Sequence, residues 1–153
     1  MVEHIEIKKL ADQDLDKMRQ LLLVFEDVFE QQNFRMSTES HLNKVLAKPE
    51  HLVFVALLDN IVIGGLTAYI LQVYEEETSI VYINDLAILA KYQRKGIGQQ
   101  LIKSINAYCK TINISEVFIQ ADADEYAVNF YRKTGGKEMK VAQFTYELNN
   151  RSE

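Results

Sequence analysis

Gly96 and Gly98, one residue apart, close a basic stretch, Gln93-Arg94-Lys95, and open an apolar periodic segment. That arrangement suits an anion. A helix starting here aims free backbone N–H groups and the positive end of its dipole at one point. Glycine lets the backbone approach a ligand closely because no Cβ intervenes. The segment from Gln93 through Arg94, Lys95, Gly96, Ile97 and Gly98 to Gln99 is therefore a candidate cradle for a phosphate group such as a pyrophosphate, with Arg94 and Lys95 adding charge at its rim. A solvated, glycine-containing turn is the plainer alternative. The segment lacks the G-x-x-x-x-G-K-[ST] phosphate loop and the full G-x-G-x-x-G dinucleotide fingerprint.

Carboxylates are the second group with chemical potential. Asp85 lies inside the apolar run Tyr82-Ile83-Asn84-Asp85-Leu86-Ala87-Ile88-Leu89. An unpaired carboxylate there is costly to bury, and desolvation would raise its pKa toward a value useful for taking a proton. A structural pairing with a lysine or arginine is the alternative. Asp122, Asp124 and Glu125 follow the next apolar run, and Glu26 and Glu30 stand one turn apart on a helical stretch. Together they could form an acidic mouth for a cationic ligand, or they could simply be solvated. Cys109 sits well inside a helical segment, where a packed thiol is expected rather than a nucleophile.

Composition narrows the classes. The chain has 153 residues, an apolar share of 48% and a net charge of −5. It is long enough for one domain with a real core, residues 1–153 being read as that single domain with a frayed end from Asn149. The negative balance argues against non-specific nucleic-acid binding. No run has the length of a transmembrane helix, and Met1-Val2-Glu3-His4 does not begin a signal peptide. A single cysteine fits a reducing cytoplasm. His4, His41 and His51 lack metal-ligand spacing, so no metal is expected.

The elements that must position these groups read as follows. His4–Leu10 alternates as a strand. A helix capped by Asp12 or Asp14 runs to about Gln31, with Leu15, Met18, Leu22, Phe25 and Phe29 in its stripe. Leu21, Leu23, Val24 and Val28 widen that stripe, which makes a homodimer or a covering lid conceivable. Ser37 or Thr38 opens a second helix ending near Lys48-Pro49. His51–Leu58 and Ile61–Val73 form a hairpin about Asp59-Asn60. The Tyr82 strand, the Ile97 helix and a strand over Glu116–Ala121 form a right-handed βαβ unit. A short helix over Tyr126–Lys133 stops at Gly135-Gly136. Met139–Leu148 alternates as a last strand.

Gln93-x-x-Gly96-x-Gly98 after a strand resembles the acyl-CoA signature Q/R-x-x-G-x-G/A of the GNAT N-acetyltransferases. The element order β-α-α-β-β-β-α-β-α-β is similar to theirs over almost the whole chain. The resemblance implies an α/β domain with a mixed central sheet flanked by helices, and acetyl transfer from acetyl-CoA by direct attack of an amine. It further implies that the backbone of Leu86, Ala87 and Ile88 runs beside the pantetheine arm, with an N–H at Ala87 or Ile88 polarising the acetyl carbonyl. Asn129-Phe130-Tyr131 resembles the family's second motif. Tyr131 would protonate the departing thiolate, and Asn129 would hydrogen-bond the pantetheine amides. Asp85 would be the catalytic base or would hold a cationic substrate.

Tyr82 through Ile88, Ile119-Gln120-Ala121-Asp122 and Met139–Glu147 are similar to type I aminoglycoside 3-N-acetyltransferases. That implies a small polycationic aminosugar partner and a role in antibiotic resistance, with neither nucleic acid nor membrane as partner. Acetylation of a polyamine or a peptide amine, and a non-catalytic acyl-CoA sensor, are the alternatives.

Overall fold

The computed structural model describes residues 4–149. Elements follow as β1 (Ile5–Lys9), α1 (Leu15–Val28), α2 (Glu39–Ala47), β2 (His51–Leu58), β3 (Ile61–Gln72), β4 (Ser79–Ile88), a 3₁₀ turn (Ala90–Tyr92), α3 (Ile97–Thr111), β5 (Ile114–Ile119) and α4 (Glu125–Lys133). The sheet runs β1-β2-β3-β4-β5. Its first three pairings are antiparallel and β4–β5 is parallel, with α3 as the crossover. The chain divides into two compact units, one up to Gln120 and one from Ala121.

The expected order holds through α4 and then departs. Residues 137–148 belong to no helix or strand, and Met139, Val141, Phe144, Tyr146 and Leu148 are exposed. Alternation makes a strand only where a neighbouring edge accepts its backbone groups. The fraying expected from Asn149 falls, beyond that residue, outside the described residues.

β2 is buried along nearly its whole length because both faces are covered. Val53, Val55 and Leu57 join Met18, Leu21, Val24 and Phe25 of α1 in one core, while Phe54 meets Tyr108 of α3 edge-on at 6.0 Å. The broad apolar stripe of α1 is thus largely internal, leaving Leu23 and Phe29 as its exposed large apolar residues.

α1 packs closely on β3 at Gly65, while Gly64 faces Ala87 and Ile88 of β4. A Cβ on Gly65 would lie 2.6 Å from the Phe54 carbonyl oxygen and 2.7 Å from a Leu21 methyl. Gly65→Ala is expected to lower stability by about 1–3 kcal/mol, the usual cost of overpacking, as measured by urea denaturation.

The start of α1 is fastened from behind. Asp14 accepts hydrogen bonds from the Ala11 N–H at 2.8 Å and from Lys8 Nζ at 3.0 Å. It makes no side-chain bond into the helix's own first turn, so the sequence's capping expectation places the residue correctly but not its bond. Burial by itself would raise the Asp14 carboxyl. The Ala11 N–H and Lys8 outweigh it and hold the group below its ordinary value. The unfolded chain therefore binds this proton more readily, so the stabilisation is present above the ordinary carboxyl range and is lost as pH falls through the lowered value. Asp14→Ala is expected to cost about 1–3 kcal/mol at neutral pH by denaturant titration, and the difference should shrink in acid.

Candidate active site

β4 loses its neighbour partway along. Its pairing with β5 runs from Ser79 to Ile83, opposite Ile119, where β5 ends. Asp85, Leu86, Ala87 and Ile88 continue to pair with β3 through Thr67, Leu66, Gly65 and Gly64. Among the described residues, the other edge of that stretch carries no strand. A row of N–H and C=O groups without a ladder is a template for an extended polar chain.

The end of β4 leads directly to the glycine loop. The 3₁₀ turn, Ala90–Tyr92, carries the chain across the strand end. Gln93 donates from Nε2 to the Ile88 carbonyl at 2.8 Å, tying the loop to β4. This side chain therefore holds in place the loop that the sequence marks as an anion cradle. Gly96 has φ +80 at the position preceding α3, and an added Cβ there would meet nothing within 4 Å. Its need for glycine is conformational rather than steric. The opening turn of α3, with Ile97, Gly98 and Gln99, leaves N–H groups without intrahelical acceptors. Lys91 and Lys95 both lie over the Tyr92 ring, at 5.5 and 5.9 Å. Arg94 adopts φ +61 in the same loop. The result is a cationic loop at a helix start, which suits a phosphate-bearing group.

On the same sheet, a bulge brings Asp85 into a cavity. Thr67 pairs with Asp85, but Ala68 pairs with Ile83, so β4 holds one extra residue, Asn84. Both Asn84 and Asp85 consequently line a cavity of about 190 Å³. Asn84 donates to Asp85 Oδ2 at 3.2 Å. Burial raises the Asp85 carboxyl above its ordinary value, and none of the described salt bridges involves it. This is the direction that suits a proton acceptor at neutral pH.

The other walls are Met18, Leu22 and Phe25 of α1, His41 and Val45 of α2, and His51, Thr67 and Tyr69 of the sheet. Sequence reasoning missed Asn84, His41, His51 and Tyr69. The histidines were judged only for metal spacing. The strand register that sets His51 opposite Tyr69, one row from Thr67 and Asp85, was not readable from one chain.

The remaining acidic candidates are less concentrated. Neither Glu26 nor Glu30 lines the cavity. Glu26 is half-buried on α1, and Glu30 lies beyond its end with φ +51. Asp124 precedes α4 and accepts the Ala127 N–H at 2.8 Å, so one carboxylate oxygen serves the helix. Glu125 opens α4, and Asp122 is exposed just before it.

Asn129 and Tyr131 lie on α4, where Tyr131 meets Phe130 edge-on at 4.9 Å. Its carbonyl accepts from Gly136 N–H at 3.0 Å, which closes the helix. Burial pushes the Tyr131 phenol up to about 12. Cys109 is buried in α3, and burial raises its thiol as well. No helix among the described residues is long and apolar enough to cross a membrane.

A central strand with one open edge, leading into an anion-ready helix start, defines an acyltransferase-type domain. Residues 15–136 match the Acetyltransferase (GNAT) family, and the chain belongs to that family, whose members draw their acetyl group from acetyl-CoA. An aminoglycoside acetyltransferase from an uncultured soil metagenomic sample, solved with trehalose and with sisomicin, is 44% identical. That alignment covers 95% of this chain and 97% of that one, with a TM-score of 0.92. A second soil metagenomic aminoglycoside acetyltransferase is 26% identical over 95% of this chain and 99% of that one, with a TM-score of 0.91. An N-alpha-acetyltransferase of Sulfurisphaera tokodaii is 34% identical over 67 residues. That match spans 42% of this chain and 40% of the relative.

Proposed function

We propose that this protein is an acetyl-CoA-dependent N-acetyltransferase for aminoglycosides, acting on the 3-amine. The observation that carries the reading is the open edge of β4 beyond Ile83, running into the Gly96 loop and flanked by the Asp85 cavity. The 44% identical aminoglycoside acetyltransferase supports the substrate class.

In this reading acetyl-CoA supplies an acetyl group activated as a thioester. Leu86, Ala87 and Ile88 hold its extended arm through backbone hydrogen bonds, with Asn129 adding a side-chain amide. The N–H of Ala87 or Ile88 polarises the carbonyl under attack. The α3 start, with Arg94, Lys95, Gly96, Ile97, Gly98 and Gln99, takes the pyrophosphate, and Gln93 fixes that loop. Asp85 accepts the proton that the amine sheds. Tyr131 keeps its phenolic proton throughout the physiological range and can deliver it to the leaving sulfur. Asp122, Asp124, Glu125, Glu26 and Glu30 are proposed only as outer carboxylates for further ammonium groups.

The test follows free thiol while acetyl-CoA is offered with sisomicin, spermidine or a lysine-rich peptide. Turnover of sisomicin, with the product acetylated at the 3-amine, supports the full reading. Acetylation at another amine removes the positional part. Turnover confined to the peptide would favour the N-alpha-acetylation reading, for which the Sulfurisphaera tokodaii relative is the specific observation.

Gly96→Val tests the loop. A β-branched residue at φ +80 is strained, and its bulk would stand where the phosphate approaches. The dissociation constant for coenzyme A, measured by calorimetry, is expected to rise about tenfold or more.

A further inference from the structure

The cavity beside Asp85 contains a second polar wall that the reaction above does not use. His51 opens β2, and its Nδ1 lies 3.2 Å from the carbonyl oxygen of Val45 on α2. A carbonyl can only accept, so the proton of that bond belongs to Nδ1. In the neutral ring Nε2 then carries a lone pair and no proton. The ring is also held by an edge-on contact with Tyr69, its centroid 5.2 Å away. Two independent contacts therefore fix both the orientation of the imidazole and which nitrogen is left as an acceptor.

The cavity is about 190 Å³, below the roughly 300–1,000 Å³ of sites that enclose a drug-sized ligand. One ring of a larger acceptor fits it, with the rest outside. Such a ring places one amine at Asp85 and leaves its other donors facing the opposite wall.

We infer that His51 is a specificity-determining residue, its Nε2 accepting a hydrogen bond from a second ammonium or hydroxyl group on the ring whose amine meets Asp85. This rests on the acetyl-transfer reading and adds a requirement to it: the preferred acceptor carries a hydrogen-bond donor near the reacting amine. Asn84 and Asp85 from β4, His41 from α2 and Thr67 and Tyr69 from β3 also line the cavity, so a control that leaves them in place is needed to isolate His51.

His51→Gln is that control, since its side-chain oxygen can stand near the Nε2 position and accept the same hydrogen bond. His51→Phe removes the acceptor. With sisomicin as substrate, KM of the Phe variant is expected to rise about tenfold at pH 7.5 while kcat changes little, one hydrogen bond to a charged group being lost. The Gln variant should keep KM within about threefold of the wild type, because its oxygen still accepts the bond. In parallel, long-range proton–nitrogen NMR on histidine-labelled protein reads the tautomer without turnover, the Gln variant assigning the signal. The Nδ1–H form, with Nε2 shifting on addition of sisomicin, supports the assignment. An Nε2–H form, or turnover with the same KM in all three proteins, overturns it. Absence of both sisomicin binding and turnover would instead remove the aminoglycoside reading, and this assignment with it.

Discussion

Asp85→Asn is expected to lower kcat by about 10²–10⁴-fold while leaving coenzyme A affinity within about twofold. The substitution keeps the volume and the hydrogen bond from Asn84, so the cavity and the bulge survive. Among the described residues, it removes the only carboxylate on the cavity wall. If Asp85 takes the proton, kcat falls and KM moves little. If Asp85 only holds an ammonium group, KM rises instead, and the two outcomes separate base from anchor. In the wild type, kcat should fall as pH drops through the raised Asp85 value, because the protonated form cannot accept. Stability moves the opposite way. The folded protein holds this proton more tightly than the unfolded chain, so stability declines as pH rises from the ordinary value of 3.8 through the raised one. The variant escapes that loss. Its melting temperature should exceed that of the wild type at pH 7, and the gap should close in strong acid. A catalytically dead variant that melts higher would show a carboxylate kept for chemistry at the expense of the fold.

Tyr131→Phe is the second large effect. The phenol, pushed up to about 12, stays protonated across any practical assay range. If it protonates the leaving sulfur, its loss should lower kcat about 10²-fold with acetyl-CoA, by steady-state kinetics. An activated thioester with a more acidic leaving thiol needs less help, so the deficit should shrink with such a substrate. A deficit that is the same for both thioesters would assign Tyr131 to packing. Stability again follows the proton. The folded state binds it more strongly, so Tyr131's contribution is intact below about 10 and is lost as pH rises toward about 12.

Much of this was legible in the amino-acid sequence where local chemistry dominates. The apolar run His51–Leu58 is β2, with those bounds, because both its faces are buried. Asp59 and Asn60 make the expected turn with φ of 49 and 64, values these residue types tolerate. Gly96 stands where a left-handed residue must precede the helix. The failures share one cause: they needed contacts between distant segments. Alternation over Met139–Leu148 could not say whether an edge would receive it. The insertion of Asn84 is visible only against the register of β3. His51 looked like an isolated ring until β2 pairing set it opposite Tyr69.

Cys109, the one cysteine of the chain, lies beneath the surface of α3 with its thiol held in the protonated form. A colorimetric thiol reagent should therefore read coenzyme A release against almost no background from the folded enzyme. The same shielding means that a cysteine placed on the surface, for instance at exposed Asp122, would be the single reactive handle on the molecule. A fluorophore could be attached there without first removing the native residue, and the onset of reagent uptake at Cys109 itself would report local opening of α3.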